Sequence, residues 1–575
     1  SMNGGAITAQ VLKAHGVERI FTLCGGHISP ILVEGEKAGL RIVDVRNEAS
    51  AVFAADAAAR LSGIPGVAAV TAGPGVTNSI TALKNAQMAQ SPLLLIGGAT
   101  ATLLRGRGAL QDIDQMALVR PHVKWALRVR RLSQLAGALH KALHIARSGV
   151  PGPVFVEIPV DLLYDESLVR EWYAQKTSRK NTLLEKLTAW YIERHLNRLF
   201  SGGGKIGAPA TPAIPRAAES AIERTAAQLQ QARRPVLVIG SGAMLLPQEI
   251  VALTEAVPRL GIPVYVSGMA RGLLGREHPL LHLHERKKAL READLIILAG
   301  VPSDFRLDYG SHLSRKAVKI VVSRHREELH KNLRGHRAIL GDPGRFLIRL
   351  SEISAPRPEW DEWKSQLQDW QAAREQEIAR QAGATVGQGI NPVTLFMLLE
   401  QMLPPNSILI ADGGDFAATA SYTLRPRQPL GWLDPGVFGT LGVGGGFALG
   451  AARRYPNHYI WIIYGDGSAA YSLAELDTFA KNGFKVCAII GNNGSWEQIA
   501  RDQVTFLGAA TATTLPRSDY HRIAEAFAGA GERVDHLEAF AWAVQRAIQH
   551  LDKGIPYVIN ADIGSTDFRK GSLSM

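Results

Sequence analysis

Cysteine is nearly absent from this chain: 575 residues hold two, Cys24 and Cys487. Both fall in apolar, strand-like runs, so we read them as buried free thiols in a reducing compartment, not as a disulfide framework. Long hydrophobic runs are missing too. No apolar stretch reaches the roughly 20 residues that span a bilayer, and no signal peptide is visible. A cytoplasmic protein is expected; Ser1-Met2 reads as a trimmed start, which leaves an earlier segment and membrane association open. Zinc-ligand spacing, helix-turn-helix cues and aromatic-basic RNA motifs are lacking, which argues against a nucleic-acid partner. No GxGxxG opens the first βα unit, and Gly240-Ser241-Gly242 lacks the third glycine, which weighs against a dinucleotide oxidoreductase. Acidic side chains are outnumbered, 52 against 64 Lys and Arg, and the formal charge of +12 suits polyanionic ligands or anionic surfaces.

What is present is a repeated alternation of helix and strand. Apolar runs at 19–23, 42–45, 67–71, 93–96 and 154–158, with helical stretches between, predict a parallel α/β domain over residues 1–175. A second such unit is expected over 216–355 and a third over 385–575, joined by a charged connector helix within 356–384. The fold class expected is therefore α/β, three consecutive doubly wound parallel sheets. Residues 176–215 break the pattern. Leu183, Leu184, Leu187, Trp190, Tyr191, Leu196, Leu199 and Phe200 make an amphipathic helix with Lys186, Arg194 and Arg198 around it, followed by a flexible Gly- and Pro-rich linker. That helix either lies on a membrane surface or packs on another domain or subunit.

The most specific local pattern is Gly465-Asp466-Gly467-Ser468 after the apolar run 459–464, with Asn492-Asn493 after the apolar run 486–490. It puts Asp466 and Asn493 at the carboxyl ends of two parallel strands, where open α/β sheets hold ligands. A lone GDG is also a capped βα turn. The paired asparagines, for which a purely structural purpose is hard to find, favour a diphosphate anchor: a carboxylate, an amide oxygen and the Ser495 carbonyl around Mg²⁺, with glycines that let the backbone approach phosphates.

This arrangement resembles the diphosphate signature of thiamine-diphosphate (ThDP) enzymes of the acetolactate synthase and pyruvate decarboxylase superfamily. Further motifs lie at family-like spacing along nearly the whole chain: Arg46-Asn47-Glu48-Ala49, Gly73-Pro74-Gly75-Val76-Thr77-Asn78, Gln111 in ALQDIDQ, Gly152–Pro159, and Gly439-Thr440-Leu441-Gly442. The resemblance implies pyrimidine-binding, central Rossmann-like and diphosphate-binding domains, in that order. It implies that Glu48 sits against the aminopyrimidine and promotes proton removal from the thiazolium. Pro74 and Asn78 would line the pyrimidine. Gly413, Gly414, Asp415, Gly439, Gly465, Asp466, Gly467, Ser468, Asn493, Ser495 and Trp496 would hold the rest of the cofactor. Leu441, where the family commonly has Met, would be the wedge that bends it. Asp466, Asn493 and Ser495 would be the metal ligands. A homodimer or homotetramer is implied, because the family's sites combine two subunits.

His27, in Gly25-Gly26-His27, is either a substrate or proton-relay group or a structural histidine. Gln111 is placed to bond a carbonyl oxygen, and Glu497 is either a second acid-base group or a solvated helix charge. Within the superfamily the chain looks most like the 2-hydroxyacyl-CoA lyases, on GMARGLLG (268–275), SDFRLDYG (303–310), RHREEL (324–329) and STDFRKGS (565–572). That branch cleaves a 2-hydroxyacyl-CoA to formyl-CoA and an aldehyde, and condenses formyl-CoA with aldehydes or ketones in reverse. Basic residues after a Rossmann-like strand suit a ribose phosphate, so Arg324 or Arg326, with Arg271 and Arg306, is expected at the coenzyme A nucleotide, or else forms a basic surface. FAD is unlikely here, since Val301–Arg306 departs from the run that accompanies it in acetolactate synthases. The alternatives are an acetolactate synthase-type or benzaldehyde-lyase-type carboligase and a catalytically silent ThDP-binding subunit. The tail 566–575 is expected to be disordered or to close over the site.

Overall fold

The computed structural model describes residues 2–176, 182–203 and 205–572. The Ser1 end, the middle of the 176–215 insertion and the last three tail residues lie outside them. Three six-stranded sheets carry the fold, and every strand pair in them is parallel. The chain divides into two compact units, the first of residues 1–59 and 64–213, the second of 60–63 and 214–575.

In the first unit the strands are β1 Arg19–Thr22, β2 Arg41–Asp44, β3 Gly66–Val70, β4 Leu93–Ala99, β5 Trp125–Arg128 and β6 Pro153–Pro159, in the order β2-β1-β3-β4-β6-β5. The central strands β3, β4 and β6 are buried along almost their whole length, as apolar runs between two helical layers must be. Leu183–Leu199 is one helix, begun by a Thr182–Glu185 capping box. The linker after it is less free than its composition suggests. Ile206 O accepts from His140 Nε2 at 2.7 Å, and the Gly149 amide donates to Ala213 O at 2.7 Å.

The second unit holds two sheets. β7 Pro235–Ile239, β8 Val264–Val266, β9 Leu281–His282, β10 Leu295–Ala299, β11 Val318–Ser323 and β12 Arg337–Leu340 run in the order β12-β11-β10-β7-β8-β9. That is the Rossmann order, with its switch point between β7 and β10. The loops leaving those two strands meet backbone to backbone: a Cβ on Gly242 would stand 2.7 Å from the Gly300 Cα. The amides of Gly240, Gly242 and Gly300 all donate to neighbouring carbonyls.

The third sheet is β13 Ser407–Asp412, β14 Trp432–Leu433, β15 Tyr459–Gly465, β16 Val486–Asn492, β17 Ala530–Val534 and β18 Tyr557–Asp562, ordered β14-β13-β15-β16-β18-β17. This repeats the order of the first sheet strand for strand. β13, β15 and β16 end side by side, so the turns after Asp412, Gly465 and Asn492 gather at one edge. The connector helix Asp361–Ala382 buries Trp363, Leu367 and Ile378.

Cys487 is buried within β16, but Cys24 is exposed. Its run of apolar residues ends with β1 at Thr22, and the chain has already turned out toward Gly25-Gly26.

Candidate active site

In the first unit two predicted groups meet. Glu48 opens the helix Glu48–Ser62 and is only 7% exposed, and the Asn78 amide donates to its Oε2 at 3.0 Å. Asn47 caps the same helix start by accepting from the Ala49 amide at 2.9 Å. Glu48 therefore keeps one carboxylate oxygen outside this bond. The Gly73-Pro74 turn begins at a φ of 69°, open to glycine. Its amide donates to Gln115 Oε1 at 2.8 Å, and the Gln115 amide reaches Gly98 O at 3.0 Å and Glu157 Oε1 at 2.8 Å. Gln115 thus sets the Gly73-Pro74 turn, a role sequence reading gave to no residue. Glu157 in turn is paired with Arg128.

Gln111 stands against Gly73 in a left-handed conformation, φ 64°. Such a backbone is uncommon for a residue other than glycine. Together with Gln115, Arg105, Arg128 and His195 it lines a cavity of about 260 Å³. His27 Nδ1 lies 3.0 Å from Thr71 Oγ1, and burial lowers its pKa, so it is a neutral, oriented imidazole near pH 7. Close approach explains Gly25, where a Cβ would lie 2.4 Å from the Thr71 side chain, but not Gly26, where it would meet nothing within 4 Å.

In the second unit the three strand-end turns form one cradle. Asp466 is 2% exposed; its two oxygens accept from the Gly467 amide at 3.0 Å and the Gly494 amide at 2.8 Å. Burial raises its pKa to about 6 against those bonds. Asn493 Oδ1 accepts from the Ser495 amide at 3.0 Å, and the Gly494 amide between them is the one that bonds Asp466. Gly467 has no room for a side chain, since its Cβ would meet the Trp496 ring at 2.3 Å. Among the described residues no three His, Cys, Asp or Glu side chains gather as metal ligands. The oxygens on offer are one buried carboxylate, an amide and loop carbonyls, a donor set that fits Mg²⁺ when phosphate oxygens complete it.

Asp412 is the residue that sequence reading missed. It is wholly buried at the end of β13, and its carboxylate accepts from the amides of Gly442 at 3.0 Å and Gly444 at 2.8 Å. Its own carbonyl accepts from Ser468 Oγ at 2.6 Å. One aspartate therefore ties the Leu441 turn to the Asp466 turn. Burial raises its pKa to about 7. The signal was there in ILIADGG, which has the same strand–Asp–Gly order as YGDG. Leu441 packs on Gly413, whose Cβ would lie 2.1 Å from Leu441 Cδ2, so the wedge residue stands on the glycine turn.

Three expectations need correction. Asn492 is structural: it is fully buried and its amide donates to Ser518 O at 3.0 Å and Asn560 Oδ1 at 3.1 Å, leaving Asn493 as the site asparagine. Asp415 does not present a free carboxylate to a cofactor. It pairs with Arg501 at 2.9 Å and with Arg569 of the tail at 3.1 Å, and Phe568 stacks edge-on against Tyr422. The tail is thus packed as far as Arg569. Finally, the four arginines do not cluster. Arg324 forms a buried ion pair with Asp342, Arg306 is held bidentately by Asp304, and Arg326 is exposed on the helix after β11. β11 leads away from β8 and β9, where the cavity of this unit opens.

Arg271 alone of the four lines that cavity, its guanidinium 4.0 Å over the Trp432 ring and bonded to Ser421 O at 2.7 Å. Burial draws its pKa down to about 10. The cavity, about 690 Å³, runs from Gly413, Gly439 and Leu441 to a cationic wall of Arg286, Lys287 and Arg374, with His312 beside them, its pKa lowered by burial. His284, also on that wall, is kept neutral by burial, with a pKa of about 4. Glu497 begins the helix Glu497–Leu507 half-exposed, its Oε2 3.4 Å from the Asn493 amide.

Comparison with known proteins agrees with this geometry. Residues 2–118 match the N-terminal TPP binding domain of thiamine pyrophosphate enzymes, 222–350 their central domain, and 412–561 their C-terminal TPP binding domain. The chain belongs to the thiamine-diphosphate-dependent enzymes. It is 46% identical over 584 residues to 2-hydroxyacyl-CoA lyase 2 of Danio rerio, covering 100% of this chain and 93% of that one. The figures for 2-hydroxyacyl-CoA lyase 2 of Homo sapiens are 46% over 581 residues, 100% and 92%. The acetolactate synthase large subunit of Mycobacterium tuberculosis is 31% identical over 564 residues, 97% of this chain and 95% of that one. The chain is a thiamine-diphosphate-dependent lyase with three parallel-sheet domains.

Proposed function

We propose that this lyase cleaves 2-hydroxyacyl-CoA thioesters between the carbonyl and hydroxyl carbons, giving formyl-CoA and an aldehyde one carbon shorter, and runs the reverse condensation with aldehydes or ketones. The observation that carries the reading is the cavity of the second unit, which joins the diphosphate cradle to a wall of arginine and lysine. A coenzyme A ester needs that pairing: a reacting end beside the cofactor and a cationic surface for its phosphates some way off.

When bound, thiamine diphosphate supplies a nucleophilic carbon and a sink for the electrons of the bond that breaks. The chain supplies the rest. Asp466, Asn493 and the Ser495 carbonyl would hold Mg²⁺ and, with it, the diphosphate. Glu48, steadied by Asn78, would stand against the pyrimidine ring as its proton partner. Leu441, standing on Gly413, would be the apolar wedge beneath the bound cofactor. His27 takes the substrate hydroxyl proton, and that proton ends on the formyl carbon, so no oxidant is needed. Gln111 bonds the thioester carbonyl oxygen. Glu48 and Asp466 belong to sites completed by two copies of the chain, so a homodimer is the smallest active form.

The test is a direct competition. The purified protein, with the cofactor and Mg²⁺, is offered a 2-hydroxyacyl-CoA beside pyruvate, and products are followed by mass spectrometry. Formyl-CoA and aldehyde support the proposal; acetolactate alone would transfer the chain to the carboligase reading.

A further inference from the structure

We propose that the outer face of the helix Leu183–Leu199 is an interfacial anchor that seats the protein on an anionic lipid surface. The helix has two faces at helical spacing. Leu196 and Leu199 are 2% exposed and pack into the first unit's core, with Ile192 partly buried beside them. The opposite side is apolar and bare: Leu183, Leu184, Leu187, Trp190 and Tyr191 are 75%, 74%, 55%, 58% and 59% exposed. Large apolar side chains grouped this way on a soluble surface mark an interaction site.

The charges say what kind. Arg194 and Arg198 project from the bare side, both exposed, and the Arg194 guanidinium lies 5.4 Å from the Trp190 ring centre. Both carboxylates of the helix are engaged elsewhere. Glu185 closes the capping box, and Glu193 pairs with Arg170 at 3.0 Å. The outward face therefore offers apolar and aromatic groups rimmed by cations, with its acids turned aside. Membrane-surface helices have this composition, and Trp and Tyr favour the headgroup level. No described helix is long and apolar enough to cross a membrane. A 17-residue helix, about 25 Å long at the standard rise, lies flat instead. An overall charge of +12 acts in the same direction, since the negative potential of anionic lipid draws basic segments.

The full-length protein is mixed with liposomes of phosphatidylcholine, with or without about a third phosphatidylserine, and bound protein is measured by flotation. Wild type is expected to float with the anionic liposomes at least about tenfold better than with the neutral ones, and less as salt rises. The double variant Leu187→Ser/Trp190→Ser should lose about tenfold in binding, and Arg194→Glu/Arg198→Glu should abolish the preference for phosphatidylserine. Both pairs are solvent-facing, so lyase turnover and thermal midpoint should stay at wild-type values, which separates lost docking from misfolding. Wild type that stays off anionic liposomes, or a serine variant that floats as well as wild type, overturns the proposal. It is equally overturned if light scattering shows the serine variant falling to a smaller assembly, because a second copy of the chain then covers this face.

Discussion

At the scale of single residues, the site depends on two carboxylates whose surroundings differ. Glu48 is buried but bonded to one amide, and in the proposed mechanism it is the group that exchanges a proton. Glu48→Gln keeps the shape and removes that exchange, so C–C cleavage should fall about 10²- to 10⁴-fold while isothermal titration still finds cofactor binding. Asp466 is shielded on all sides, and the sign of its pH effect follows. Its carboxyl is raised in the folded protein to about 6, so the free protein is favoured by its protonation at low pH and loses that contribution as pH rises through 6. A cation needs the ionised form. Mg²⁺ affinity should therefore drop up to about tenfold per unit below pH 6, and Asp466→Asn should bind weakly with that dependence gone. Titrations of Mg²⁺ between pH 5 and 8, read by cofactor fluorescence quenching, check both. Gln115, Asp412 and Asn492 show where single-letter reading stops. Glu48 and Asp466 were legible because their motifs repeat a chemistry. ILIADGG marks Asp412 as a strand-end aspartate, but which turn it orients shows only when the partner amides, 30 and 32 positions away in Gly442 and Gly444, are in place.

At the scale of elements, the strands were legible because apolar runs between turn residues allow little else. The sites at their ends were legible because parallel strands finish together. What could not be read was which loops face the cavity. The four arginines were chosen for following strands, yet Asp342 and Asp304 neutralise two of them in place. The cationic wall comes instead from the segment after β9, where Arg286 and Lys287 begin a helix. Replacing both with Ala should raise KM for a coenzyme A substrate about tenfold or more and leave kcat nearly unchanged, since ground-state and transition-state binding are lost together. Arg324→Ala tests the correction in the opposite sense. It leaves the Asp342 carboxylate buried without its partner, so it should lower stability by about 3–5 kcal/mol in denaturant titration, with little specific change in KM. Asp412→Ala should detach the Leu441 turn, reducing cofactor affinity and turnover together, measured by titration and steady-state kinetics.

At the scale of the whole molecule, assembly is the decisive property. If a working site draws Glu48 from one copy and Asp466 from another, two dead variants can repair each other. Glu48→Gln and Asp466→Ala homo-oligomers should each be inactive. Unfolded together and reassembled, they should recover about a quarter of wild-type turnover, because half the random dimers are mixed and each mixed dimer contains one intact site. No recovery would place both residues of a site on one chain. The three-domain order was readable from the sequence because each domain repeats its own alternation. The homodimer or homotetramer is implied only by the family resemblance, since an interface is a property of surfaces that local periodicity does not encode.

The first and third sheets share one strand order, and the second does not. Under the proposed function one of these matching sheets takes the cofactor's ring and the other its phosphates. The same strand order then presents its loops alike twice, and what differs is the side chain placed on them: an acid at a helix start after β2 in one, an aspartate at the end of β15 in the other.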